Sequence, residues 1–145
     1  MTHMIAAPVI TGLYVPGDRP ERFDKAVATG AQLVILDLED AVADAHKASA
    51  REAVASWLRA RAPGDTVVQV RINAGEPLDL AALAAVDAEF EIRVPKVESL
   101  SDLDVVARAV PREELLHVRR ARDGQGPVGP EAGRRTLDER LVDRG

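Results

Sequence analysis

The chain has 145 residues, a formal net charge of −5 and 46% hydrophobic residues, which suits a single globular domain with a sizeable core. Its mild acidity argues against a nucleic-acid-binding protein, because a phosphate-binding surface normally carries a basic patch. Cysteine is absent, so disulfides and thiolate metal sites are excluded, and this composition fits a cytoplasmic protein.

The first predicted strand is the apolar run from Val9 to Val15. The chain opens with MTHMIAAPVITGLYV, which has no charged leader followed by a long apolar stretch, so we expect neither a signal peptide nor a membrane span. The loop PGDRP follows this strand. Pro20 suits the first turn of the next helix, and Gly30 suits the residue just after its end.

Three further units repeat the order of apolar strand, polar loop and alanine-rich helix. The predicted strand and helix pairs are 33–38 with 47–61, 67–72 with 78–88, and 92–97 with 102–110. Ser101 is the predicted cap of the last helix. Nearly continuous apolar strands that alternate with helices indicate a parallel α/β sheet, either open and doubly wound or part of a (β/α) barrel. No glycine-rich phosphate loop follows any strand, which disfavours a nucleotide-binding open sheet.

The repeating pattern stops near the carboxyl terminus. From Val118 onward the sequence is rich in Arg and Gly and poor in apolar residues. We therefore predict one α/β unit, an open sheet or a partial (β/α) barrel, over 1–112 and an irregular tail over 113–145. Within the tail, Thr136 to Val142 has a short helix signal, with Thr136 and Glu139 as a capping box.

Polar side chains end three of the predicted strands and occupy the loop after the first. Alternation along each strand places them on shared faces: Asp37 with Glu39, Arg71 with Asn73, and Lys96 with Glu98, with Asp18 and Arg19 in the first loop. The carboxyl ends of parallel strands meet at one edge of a sheet. Acidic, amide and basic groups are therefore expected to converge at one mouth.

Each of these groups also has a structural interpretation. Asp37 and Glu39 can pair with Lys96 or Arg71 inside the sheet. Asp40 can cap the next helix. Arg71 can be a buried ion-pair partner, although its planar fork suits a carboxylate ligand. The residues by themselves leave both interpretations open.

Four segments occur together at a distinctive spacing over residues 13–99: LYVPGDRPERFDKA, VILDLEDAV, VRIN and VPKVES. This combination resembles the citrate lyase beta-subunit-like family, within the metal-dependent aldolases and acyl-CoA lyases. The resemblance implies the N-terminal half, about four units, of a TIM-type (β/α)8 barrel. It also implies Mg²⁺-dependent carbon–carbon bond cleavage or formation beside a citryl-type or malyl-type thioester. The carrier would be coenzyme A or an acyl carrier protein, and the full-length family members would form homo-oligomers.

The resemblance also implies roles for individual residues. Arg71 of VRIN matches the catalytic arginine that grips the carboxylate and oxygen of a 2-oxo or 2-hydroxy acid. The acids that match positions near the metal, as acceptors for the waters of Mg²⁺, are Asp37, Glu39 and Asp40. Arg19 and Lys25 are candidates for the phosphates of the carrier. The full predicted substrate-binding set is Arg71, Asn73, Arg19, Lys25 and Lys96.

The direct metal ligands of this family, a Glu and an Asp after the fifth and sixth strands, have no counterpart in the sequence. We hypothesise that residues from about 113–118 onward are a frameshifted or truncated end. The chain alone would then bind metal weakly and turn over little substrate. The alternatives are a non-catalytic remnant or subunit-association module, an independent open-sheet binding domain and, among enzymes, a 2-oxo-acid aldolase.

Overall fold

A parallel sheet of four strands organises residues 9–110, the part of the chain that this computed structural model describes. The strands are β1 (Gly12–Pro16), β2 (Leu33–Asp37), β3 (Val67–Arg71) and β4 (Glu91–Arg93), and each pairs with the next in sequence. A doubly wound sheet requires a reversal of strand order, which this sequential order lacks. The barrel-type alternative is therefore confirmed for these four units.

The helices follow the strands at nearly the predicted positions. They are α1 (Phe23–Ala28), α2 (Lys47–Ala60), α3 (Pro77–Ala84) and α4 (Leu100–Ala109), and short 3-10 turns over 20–22 and 44–46 precede α1 and α2. Pro20 starts the first turn, and Gly30 has the positive φ of +79° that suits the residue after a helix.

Two predicted helix boundaries are wrong. Helix α3 ends at Ala84 rather than Ala88, because the chain leaves the helix to bury Val86 in the core. Helix α4 begins after Ser99, not Ser101. The carboxylate of Asp102 accepts hydrogen bonds from the backbone N–H groups of the residues at 98 and 99, which satisfies donors that the start of a helix leaves free.

The core lies between the helices and one face of the sheet. Its fully buried members include Val34, Leu36, Val70, Ile72, Phe23, Val54, Leu58 and Leu83. Burying one such side chain contributes about 1.5–3 kcal/mol before entropy is counted. The opposite face of the sheet carries the buried side chains of Leu33 and Ile35 together with the polar side chains.

The predicted face of the fourth strand is wrong by one residue. The register places Gln69 opposite Glu91 and Arg71 opposite Arg93, so Glu91 and Arg93 share the polar face. Ile92 is buried on the helix side instead. The sequence pattern does not show which face of this strand is polar. The apolar run from residue 92 marks the side that packs against the helices, and the polar face is carried by its neighbours Glu91 and Arg93.

No helix within residues 9–110 is long and apolar enough to cross a membrane. The predicted irregular tail over 113–145 and the helix signal that begins at Thr136 lie outside the described residues. The boundary at residue 112 therefore stays a prediction.

Candidate active site at the carboxyl edge of the sheet

Asp37 and Arg71 form a buried, two-pronged ion pair at the ends of β2 and β3. They are direct neighbours in the sheet register. The Nε of Arg71 donates to Oδ1 of Asp37 at 2.8 Å, and a terminal guanidinium nitrogen donates to Oδ2. The backbone N–H groups of Glu39 and Ala41 donate to the same carboxylate at 2.8 and 3.2 Å. The side chain of Asp37 is therefore fully paired.

The pKa values of this pair follow from these contacts. Burial acts to raise the pKa of Asp37, but the hydrogen bonds from Arg71 and from two backbone N–H groups outweigh burial and hold that pKa below its usual range. The hydrogen bond to Asp37 raises the pKa of Arg71, against the opposing effect of burial. Both groups are charged at neutral pH.

Glu39 has a buried carboxylate that lies between two cations. Its Oε1 is 2.9 Å from the Nζ of Lys96, and its Oε2 is 3.4 Å from the Nε of Arg71. Neither oxygen accepts a hydrogen bond of good geometry from the described residues, so these contacts are close in distance but not aligned in direction. Glu39 is therefore neutralised by charge while it retains unused acceptor capacity.

Asp40 and Lys96 form the exposed rim of this cluster. The side chain of Asp40 is 71% exposed, and its Oδ2 lies 3.9 Å from a terminal nitrogen of Arg71. Asp40 does not cap the next helix, since the N-cap positions there are Ala43 and His46. The neighbouring Glu39 raises the pKa of Lys96. Three acids and two bases thus meet at one edge, as the sequence predicts.

A second network fixes the loops beneath this cluster. The amide nitrogen of Asn73 donates to the carbonyl of Leu38 and to the carboxylate of Asp79, each at 2.8 Å. Asp79, which is fully buried, also accepts from the backbone of Asn73 and from Arg51 of α2. The ammonium of Lys47 donates to the carbonyl of Leu38 as well. Asn73 therefore has only its Oδ1 left for a ligand.

Arg19 and Lys25 make no ion pair with the acids of the cluster. Both side chains are exposed, and neither forms an ion pair with another residue in the range 9–110. Arg19 occupies the loop after β1, at the same edge of the sheet as the acids. In the same loop Asp18 contacts the Nδ1 of His46 at 3.1 Å. The proposed role of Arg19 and Lys25 in phosphate binding stays a prediction.

Several residues of this face were not singled out from the sequence. Tyr14 of β1 lies beneath two guanidinium groups, with Arg71 at 5.1 Å and Arg93 at 5.9 Å from the ring centre. Gln69 bridges Glu91 and Arg93 through hydrogen bonds of 2.7 and 2.9 Å. One sequence signal was present for this face: the charged residues Glu91 and Arg93 lie on either side of Ile92 in β4.

The described residues contain no group of three or more His, Cys, Asp or Glu side chains that could hold a metal ion by themselves. A cleft of about 1040 Å³ opens instead at the amino end of the sheet, near Arg61, Val67 and Glu89. That cleft contains none of the strand-end residues. We therefore place the candidate active site at the carboxyl edge of the sheet because of the charged side chains there, although the cleft lies at the other end.

The sequence of the chain is similar to those of several characterised proteins. A citrate lyase subunit beta-like protein of Mycobacterium tuberculosis is 45% identical over 114 residues, which cover 76% of this chain and 38% of that protein. A (3S)-malyl-CoA thioesterase of Cereibacter sphaeroides is 36% identical and is matched over 77% of this chain and 40% of its own length. An L-malyl-CoA/beta-methylmalyl-CoA lyase of the same species is 33% identical, with shares of 74% and 36%.

Solved structures give the same result. The CitE protein of M. tuberculosis in complex with magnesium, acetoacetate and coenzyme A has a TM-score of 0.59 and 40% identity, covering 74% of this chain and 38% of that one. The citrate lyase beta subunit of that organism, complexed with oxaloacetate and magnesium, has a TM-score of 0.55 and 41% identity, with shares of 74% and 45%.

Length and family follow from these comparisons. The chain spans about two fifths of the length of the curated relatives it matches, between 36% and 40%. The family model described as HpcH/HpaI aldolase/citrate lyase matches residues 10–122, most of the chain. The four βα units and the strand-end cluster fall inside that match. The chain belongs to the HpcH/HpaI aldolase/citrate lyase family.

Proposed function

We propose that the chain is part of a Mg²⁺-dependent carbon–carbon lyase that acts on a 2-hydroxy-acid acyl thioester of the citryl-CoA or malyl-CoA type. The observation that carries this proposal is the mixed-charge cluster at the carboxyl edge of the sheet. Three carboxylates and two cations meet there, with a net charge of −1. This edge is where parallel α/β proteins place their sites.

The net charge of the cluster supports a need for a cation. A site with a net charge of −1 repels the carboxylate of a 2-oxo or 2-hydroxy acid, whereas one divalent ion reverses the sign. Two solved relatives hold magnesium together with such an acid or a related one. When bound, Mg²⁺ supplies a Lewis acid that polarises the acid's oxygen.

Glu39 and Asp40 are the residues that fit the ion. The buried oxygens of Glu39 accept no aligned hydrogen bond within the described part of the chain, and carboxylate oxygens are what Mg²⁺ and its waters prefer. Two acids are too few to enclose the ion, so we assign them to its bound waters. Asp37 is excluded from this role, because its hydrogen bonds are already made.

Arg71 is the residue proposed to bind the acid's carboxylate. Its Nε and one terminal nitrogen point to Asp37, so the other terminal nitrogen, near exposed Asp40, is the one that faces a ligand. Asp37 and the ring of Tyr14 fix the plane of the guanidinium, which removes much of the entropy cost of orienting it. Lys96 supplies a second cation at the rim.

The test is product analysis with malyl-CoA and citryl-CoA, with Mg²⁺ added and then removed by a chelator. A lyase releases acetyl-CoA, together with glyoxylate from malyl-CoA or oxaloacetate from citryl-CoA. Arg71→Lys, which keeps the charge but loses the fork, should lower the rate at least about tenfold. Arg59→Lys on the exposed face of α2 is the matched control. Acetyl-CoA release that is indifferent to the chelator contradicts the proposal.

A thioesterase is the second candidate, because a relative that is 36% identical carries that name. It would release malate and free coenzyme A from malyl-CoA, and the same assay separates the two product sets. The third candidate is a non-catalytic association module. The lack of a three-ligand metal group in residues 9–110 favours it, and it predicts no turnover of either thioester.

A further inference from the structure

Lys47 occupies a position that does not favour a cation. It is the first residue of α2, and the free N–H groups at the start of a helix give that end a partial positive charge. The first turn of α2 has no acidic residue, and no ion pair within residues 9–110 includes Lys47. The side chain is nevertheless half-buried. In the described part of the chain, the ammonium is therefore held without an acidic partner.

The hydrogen bonds of this ammonium are not needed to satisfy the backbone. It donates to the carbonyl of Leu38 at 2.8 Å and to the carbonyl of Glu39. Each carbonyl also has another donor. The side-chain amide of Asn73 donates to Leu38 at 2.8 Å, and the backbone N–H of Val42 donates to Glu39 at 3.2 Å. Both carbonyls would therefore remain paired without the lysine.

The two carbonyls belong to adjacent residues and meet at one nitrogen atom, so the chain turns sharply after β2. In an extended strand, adjacent side chains point to opposite faces. Here the adjacent carboxylates of Glu39 and Asp40 both reach Arg71, at 3.4 and 3.9 Å from its guanidinium nitrogens. The turn is what brings two neighbouring acids to one side.

Two opposite charges hold this turn. The carboxylate of Asp37 accepts from the backbone N–H groups of Glu39 and Ala41 at 2.8 and 3.2 Å. The ammonium of Lys47 reaches across from α2 and takes the carbonyl side of the same turn. Hydrogen bonds to charged groups are the stronger kind, so each charge fixes one side of the turn.

We propose that Lys47 is a positioning residue, which holds the turn over 38–42 so that Glu39 and Asp40 can share the waters of one divalent cation. Its ammonium acts on the backbone and does not touch the ligand. This inference rests on the proposed function for the identity of the ion, whereas the hold on the turn does not depend on it.

The sign of the change in Mg²⁺ affinity tests the proposal. Lys47→Met removes a cation beside a cluster of acids, so charge alone predicts tighter Mg²⁺ binding. Release of the turn has the opposite effect, and we expect binding to weaken about tenfold in calorimetric titration with Mg²⁺ and oxaloacetate. Lys47→Arg should restore part of the loss. Arg59→Met, near the other end of α2, is the matched loss of one positive charge and should not weaken binding. Unchanged or tighter binding by Lys47→Met overturns the proposal.

Amide hydrogen exchange without metal gives a second readout. Lys47→Met should speed exchange at the N–H groups of Ala41 and Val42, which are hydrogen-bonded within the turn, at least about tenfold. The N–H of Val70 in the central strand β3 should keep its rate. Equal acceleration at all three positions makes Lys47 a general stabilising residue and overturns the proposal.

The two readouts separate this inference from the proposed function. Undiminished Mg²⁺ binding by the Lys47→Met chain overturns the positioning role and leaves the proposed function standing. If the unsubstituted chain binds no Mg²⁺ in the presence of oxaloacetate, the proposed function fails, and the ion-binding half of this inference fails with it. Faster exchange confined to Ala41 and Val42 would still establish that Lys47 holds the turn.

Discussion

Among single residues, Asp37 ties the end of β2 to its surroundings most extensively, through its buried carboxylate. It is almost completely buried, and it receives two hydrogen bonds from Arg71 and two from backbone N–H groups. A buried charge is tolerated only when it is paired in this way. The segment DLED at the end of β2 therefore holds two kinds of acid. The carboxylate of Asp37 is fully hydrogen-bonded within the protein, whereas Glu39 and Asp40 still have oxygens that can accept from a ligand.

Removing the charge of Asp37 should destabilise the fold. Asp37→Asn leaves the guanidinium of Arg71, which is 21% exposed, with Glu39 as its remaining close partner. We expect the free energy of unfolding in urea to fall by about 2–3 kcal/mol, the range for losing hydrogen bonds between charged groups. Asp40→Asn is the control. Because Asp40 is exposed, this substitution should change the free energy of unfolding by less than about 0.5 kcal/mol. Equal effects of the two changes would refute the assignment.

The lowered pKa of Asp37 also predicts a pH dependence. The pKa of an aspartate in the unfolded chain is about 3.9, and in the folded chain the pKa of Asp37 is lower. Below about pH 4 the unfolded state therefore binds more protons, so this contribution to stability is full above that pH and is lost as pH falls through the folded value. Asp37→Asn should flatten this acidic limb in urea titrations at several pH values.

At the level of elements, the end of β2 is the support on which its neighbours rest. The backbone N–H of Gly17, after β1, donates to the carbonyl of Asp37 at 2.8 Å. The carbonyl of Leu38 accepts from Asn73, after β3, and from Lys47 of α2. Two loops and a helix are thereby tied to one strand end, which holds the polar side chains in register.

A side chain at position 17 should break this support. A β-carbon on Gly17 would lie 2.8 Å from the carbonyl of Asp37 and 2.9 Å from the side chain of Leu38, so Gly17→Ala forces the backbone apart. We expect a loss of about 1–3 kcal/mol in the free energy of unfolding. Gly64→Ala is the matched control, since nothing lies within 4 Å there, and it should not destabilise. A benign Gly17→Ala would contradict this packing.

At the scale of the whole molecule, the described sheet has two open edges, β1 and β4. Exposed large apolar side chains gather near these edges: Ile10 at 82% and Tyr14 at 47% by β1, and Leu100 at 40% and Val105 at 56% on α4. Open strand edges and apolar patches promote association. Within residues 9–110, these edges and apolar side chains therefore form surfaces that another segment or a second copy can cover.

We expect the chain to self-associate with increasing concentration in sedimentation experiments. Ile10→Lys and Val105→Lys should each weaken the association by placing a charge at an open edge. Leu78→Lys is the control, because that residue is 60% exposed but lies on α3, away from both edges. A strictly monomeric chain, or equal effects of all three changes, would argue that the edges are covered.

Much of the fold and part of the site could be predicted from the sequence. The apolar runs ending in DLED and VRIN predicted β2 and β3 and the convergence of Asp37, Glu39 and Arg71, because period-two alternation and the common edge of parallel strands are local rules. The segments that carry the family resemblance are likewise short and contiguous. The boundaries of α3 and α4 were missed, since helix ends depend on what the next residues bury.

The sequence by itself therefore determined the element order, the α/β class and which strand ends carry charge, since each depends on neighbours within a few residues. Only the tertiary structure decided which charges meet. Alternation placed Lys96 in line with Ile92, but the register puts Arg93 on the polar face, and Lys96 reaches Glu39 through a left-handed turn. Likewise, the buried link from Asp79 to Arg51 joins residues on different helices. Register and long-range pairing are set by packing across the whole sheet, which no local pattern contains.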